Sequence, residues 1–126
     1  MTTKTLLALA SALEAAIGLA LMAHPPLVVR MLLGGDVSGA GTAIGRVAGL
    51  ALLSLGLACW PGGDKAPALR SLLAYNALAG LYLAGLGIRG EGAGPLLWPA
   101  VGVHAVLTIL LARAWAGERK LSQSTW

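Results

Sequence analysis

Four stretches of about 20 mostly apolar residues, parted by short breaks rich in proline, glycine and charge, take up most of this 126-residue chain. At about 1.5 Å of rise per residue, each is long enough as a helix to cross a hydrocarbon core about 30 Å thick. Only 11% of the residues are charged, and 57% are hydrophobic. Soluble domains carry about 25% charge, so this chain cannot clothe a water-facing surface. The expected fold is an all-α membrane protein. It is a four-transmembrane-helix bundle with a short interfacial helix between the first two spans, forming a single integral domain over 1–126.

The expected spans are 5–23, 40–60, 68–88 and 95–115, followed by a polar, loosely ordered tail over 117–126. Lys4 before an apolar run also fits a cleaved signal peptide, but Glu14 inside the run and the run's length argue for a retained helix. His24-Pro25-Pro26 closes the first span, because proline cannot continue a helix and biases its predecessor away from one. The segment from Leu27 to Leu33 is too short to span. With Pro26 in its first turn and Gly34-Gly35 after it, it reads as two turns of helix lying on the membrane, Arg30 towards water. Arg89 to Gly94 reads as a flexible turn, and Pro95 as the opening of the last span. Trp60, Trp98 and Trp115 fall near span ends, where an interfacial aromatic belt places them.

Loop charges give an orientation. Lys4, Lys65, Arg70, Arg113, Arg119 and Lys120 lie on one side, and Arg30 and Arg89 on the other. The positive-inside bias then puts both termini in the cytoplasm of a bacterial cell, with the protein in its inner membrane. The net charge of +4 follows from this topology signal, so no nucleic-acid partner is expected. Cys59, the single cysteine, permits no internal disulfide and reads as a small apolar filler.

Each span carries a polar residue well inside it: Glu14, Arg46, Asn76 and His104. Counting rise per residue from the expected boundaries puts all four within roughly 6 Å of the midplane. An arginine at the centre of a membrane helix costs roughly 2.5 to 3.5 kcal/mol, so Arg46 should find a partner inside the protein. Glu14 is the one acid within a span, and an Arg46–Glu14 pair is the expectation. Gly41, Gly45 and Gly49 recur every four residues and suit close helix packing. Small or hydroxyl residues flank the four polar positions, with Ser11 near Glu14, Thr42 near Arg46 and Thr108 near His104. Tyr75 and Tyr82, seven residues apart, share a face and would line the same cavity.

Intramembrane ionisable residues point by default to function, and four at one depth point to a ligand or proton site. The competing explanation is structural, since buried ion pairs and asparagines also lock helix register. The sequence offers no Cys pair and no Glu-x-x-His motif, so neither metal nor cofactor is expected. It also has no Gly-x-Ser-x-Gly and no phosphate-binding loop.

Residues 13–21 (Leu-Glu-Ala-Ala-Ile-Gly-Leu-Ala-Leu), 45–49 (Gly-Arg-Val-Ala-Gly) and 97–105 (Leu-Trp-Pro-Ala-Val-Gly-Val-His-Ala) resemble those of small uncharacterised bacterial four-helix inner-membrane proteins. That resemblance implies the fold and no activity. The run from Leu13 to Gly18, followed by Leu21-Met22, is similar to the first helix of small multidrug resistance transporters, which also have four helices and one glutamate. That similarity implies that Glu14 exchanges protons for a lipophilic cation. The rest of the chain departs from it, through Arg46, a longer first loop and the lack of the third helix's aromatic signature.

Two classes of function follow. One is binding or transport of protons or of a small polar, lipophilic or anionic molecule at Glu14, Arg46, Asn76 and His104, with acid–base catalysis on a lipophilic substrate as its enzymatic variant. The other is an accessory subunit that packs on membrane lipids and a partner, as a homo-oligomer or in a larger membrane complex. A glycine stripe left outside the bundle favours the second, and an enclosed cavity favours the first.

Overall fold

The computed structural model describes residues 1–124. It contains helices α1 (Thr3–Ala23), α2 (Pro25–Leu33), α3 (Ala40–Ala58), α4 (Lys65–Arg89) and α5 (Leu97–Gln123), and no strand among the described residues. All except α2 are long and apolar enough to span a membrane. The fold is therefore the four-helix membrane bundle with an additional short helix.

Local chemistry sets the helix ends. Thr2 caps α1 by accepting from the Thr5 N–H at 3.2 Å, and Asp64 caps α4 by accepting from the Ala66 N–H at 3.1 Å. The Asp64 cap starts α4 three residues before the expected Ala68, and Pro67 is tolerated because it falls in the first turn. His24 serves both neighbours: its N–H closes α1 on Ala20 O, and its Nδ1 accepts from the Leu27 N–H at the start of α2. Pro25 follows as the first residue of α2.

The tail departs most from expectation. Helix α5 continues to Gln123 instead of ending near Trp115. Arg119 lies over the Trp115 ring, and Glu118 pairs with Lys65 of α4 at 3.6 Å. Residues 118–120 are also good helix formers. Thr125 and Trp126 lie outside the described residues.

The bundle is built from two close pairs, α1 with α3 and α4 with α5. Glycine lets α1 and α3 meet backbone to backbone. A Cβ added at Gly18 would stand 2.7 Å from Gly49 O, one at Gly49 2.6 Å from Gly18 O, and one at Gly56 2.6 Å from Ser11 O. Gly45 meets Pro25 of α2 in the same way, so the stripe extends through 45, 49 and 56 and is used inside the chain. Gly41, which opened the expected stripe, faces only Val37.

The connection between α4 and α5 is docked onto α2. Ala93 N–H donates to Leu33 O at 3.0 Å and Leu96 N–H to Met31 O at 2.8 Å. Gly94 lies so close to the Met31 and Leu32 backbone that no side chain fits there. Gly34 takes the left-handed conformation, φ 76°, that ends α2 and turns the chain away. The expected flexible turn is thus a clasp on the short helix.

Candidate functional site

Three of the four polar residues expected near the midplane meet, one from each of α1, α4 and α5. The Asn76 amide nitrogen donates to Leu72 O of its own helix at 2.9 Å and to Glu14 Oε1 at 3.3 Å. The Asn76 amide oxygen faces His104 Nδ1 at 2.8 Å. Two acceptors on the nitrogen side fix the orientation of the amide, so His104 Nδ1 is the donor to Asn76 Oδ1. Gly80 makes room for this, because a Cβ there would stand 3.1 Å from His104 Cβ. Thr108 Oγ donates to His104 O one turn back, and the Tyr75 ring meets the imidazole edge-on with centroids 5.8 Å apart.

All three residues are buried, Glu14 and Asn76 completely. Glu14 Oε2 and Ser11 Oγ, one turn apart on α1, are buried with no hydrogen-bond partner. No cation lies within ion-pair distance of Glu14 among the described residues. The carboxyl therefore keeps one oxygen free for a proton, a water or a ligand donor.

The packing differs on the two sides of this polar layer. Towards the chain termini the interior is filled by Leu6, Leu7, Leu69, Leu72 and Leu111, with Ala10 and Cys59 between them. Towards α2 the interior opens into a half-open space. A cavity of about 540 Å³ lies there, walled by Ile17 and Leu21 of α1, Leu83 of α4 and Ala100 of α5, and roofed by the apolar side chains of α2. Tyr75 and His104 line it and are its polar wall. Arg30 of α2 is exposed and paired with Asp36, so α2 turns its charge away from the cavity. A cleft of similar size at the opposite end, lined by Asp64, Lys65, Glu118 and Arg119 together with Trp115, is more open.

The other candidate residues fall elsewhere. Arg46 is exposed and makes no ion pair among the described residues, so the expected Arg46–Glu14 pair does not form. Gly45 and Gly49 turn towards α2 and α1, which leaves Arg46 on the outer face of α3 beside Ile44 and Val47. Tyr82 is 65% exposed and points outside, unlike Tyr75. Thr42 is half-buried away from the cavity, Ser11 lies beneath the polar layer, and Thr108 lines a shallow outer groove between α4 and α5.

The largest contribution to the cavity that the sequence did not suggest is that of α2. Its run of apolar residues beside a single arginine fits a helix on a membrane surface and one roofing a cavity equally well. Among the described residues no three His, Cys, Asp or Glu side chains cluster as metal ligands would. The chain matches no protein-family model, no curated protein and no solved structure.

Proposed function

We propose that this membrane protein binds a small lipophilic molecule with one polar group, held in the cavity beneath α2 with that group at His104 and Tyr75. The observation that carries this reading is the cavity's asymmetry: a half-open, apolar cavity of about 540 Å³ with polar side chains at one wall. Ligand sites for small molecules have this size and this sparse, localised polarity. Glu14 and Asn76 then hold the His104 ring in orientation from behind. The Asn76 amide stands between the carboxyl and the imidazole and does not titrate, which favours binding over proton relay or acid–base catalysis. The glycine stripe that an accessory subunit would offer a partner is occupied by α1 and α2. The bias of loop charges supports a cytoplasmic-membrane location with both termini inside.

Thermal unfolding in lipid nanodiscs tests the proposal, with dodecanol as probe and Ala79→Phe and Ala100→Phe as variants that fill the cavity. A saturable rise in Tm for the parent, lost in both variants, is expected; ligand at a hundredfold its Kd stabilises by about 2.7 kcal/mol. An equal rise in the filled variants contradicts it.

A further inference from the structure

We infer that the ligand's polar group is a hydroxyl that donates a hydrogen bond to His104 Nε2, which makes the site selective for lipophilic alcohols or phenols over carbonyl or ether analogues. This rests on the cavity being a ligand site, and it adds the chemistry of the ligand's head. Asn76 decides which ring nitrogen carries the hydrogen. Its nitrogen is committed to Leu72 O and Glu14 Oε1, both acceptors, so its oxygen must face His104. An amide oxygen can only accept, so His104 Nδ1 carries a hydrogen. In the neutral ring Nε2 is then the lone-pair nitrogen, an acceptor with no hydrogen-bond partner among the described residues.

Tyr75 lines the same cavity, stands edge-on to the ring, and its hydroxyl bonds no described residue. It can donate or accept. A hydroxyl head satisfies both groups at once, donating a hydrogen bond to Nε2 and accepting one from Tyr75. A ketone or ether satisfies Tyr75 alone and leaves Nε2 facing a second acceptor. A buried site that strands an acceptor in this way discriminates against the ligand that strands it.

The test is titration of protein labelled with ¹⁵N-histidine, in nanodiscs, with dodecanol and with methyl dodecyl ether. The two histidines are separable, because His24 is an exposed helix cap and His104 is buried. Without ligand, His104 should show a protonated Nδ1 and a bare Nε2. Dodecanol should move the Nε2 resonance as a newly accepted hydrogen bond does, and bind about tenfold more tightly than the ether. In His104→Phe, which keeps the ring volume, the preference for alcohol over ether should vanish while both still bind. Equal or tighter binding of the ether to the parent, or a protonated Nε2 without ligand, overturns the inference and leaves the cavity reading standing. Binding of neither compound overturns both.

Discussion

Asn76 Oδ1 accepts a hydrogen bond from His104 Nδ1 across 2.8 Å, while the nitrogen of the same amide reaches Glu14 on α1. One neutral side chain thus joins the two helix pairs of the bundle at the level between the leucine core and the cavity beneath α2. Because Asn76 is fully buried, each of its partners depends on it.

Replacing Asn76 by leucine should therefore cost more than a single interhelical bond. Such bonds in membranes average about 0.6 kcal/mol. Asn76→Leu strands Glu14 Oε1 and His104 Nδ1 together, and each buried unsatisfied group costs about 1 to 3 kcal/mol. A loss of about 2 kcal/mol or more is expected in denaturant unfolding. The triple variant Glu14→Leu, Asn76→Leu, His104→Phe should regain most of it, since an apolar set strands none of the three groups.

The α1–α3 contact predicts opposite outcomes for one chemical change at two glycines. Gly49→Ala forces a methyl to within 2.6 Å of Gly18 O, and the helices must part. Overpacking of this kind costs about 1 to 3 kcal/mol. Gly102 on α5 is exposed with nothing within 4 Å, so Gly102→Ala should be neutral or stabilise by up to about 1 kcal/mol. Thermal unfolding of the two variants side by side checks the contrast.

Arg46 gives the sharpest departure from what the sequence led one to expect. A buried partner of Glu14 would leave an uncompensated charge behind when removed, costing about 3 to 5 kcal/mol. An exposed arginine with no partner among the described residues, on an apolar outer face, predicts the reverse. Arg46→Leu should leave the folded state as stable as the parent and improve membrane insertion of α3 by up to about 3 kcal/mol. An insertion assay together with thermal unfolding measures both.

The architecture was legible in the sequence because span length, proline breaks and low charge are local properties. So was the meeting of Glu14, Asn76 and His104 at one depth, since rise per residue converts position into height. Azimuth was not legible for Arg46. Thr42, one turn before it, suggests an inward face, but Gly45 and Gly49 turn to α2 and α1 while Arg46, one position from Gly45, faces outward. Tyr82 failed for another reason: a spacing of seven keeps it within about 20° of Tyr75, but it stands about 10 Å further along α4, where it lies exposed. The cavity could not be read at all. It depends on where α2 is clasped, through Leu33 O and Met31 O, by a loop about 60 residues further along the chain.

The measurement that bears most directly on the cavity as a ligand site is photo-crosslinking with a long-chain alcohol carrying a diazirine at mid-chain, mapped by peptide sequencing. Adducts are predicted on the lining residues Met31, Tyr75 and Leu83, and should fall when Ala79→Phe fills the space. Adducts confined to outward-facing residues such as Leu78, Leu81 and Val106, and unchanged in Ala79→Phe, would contradict it.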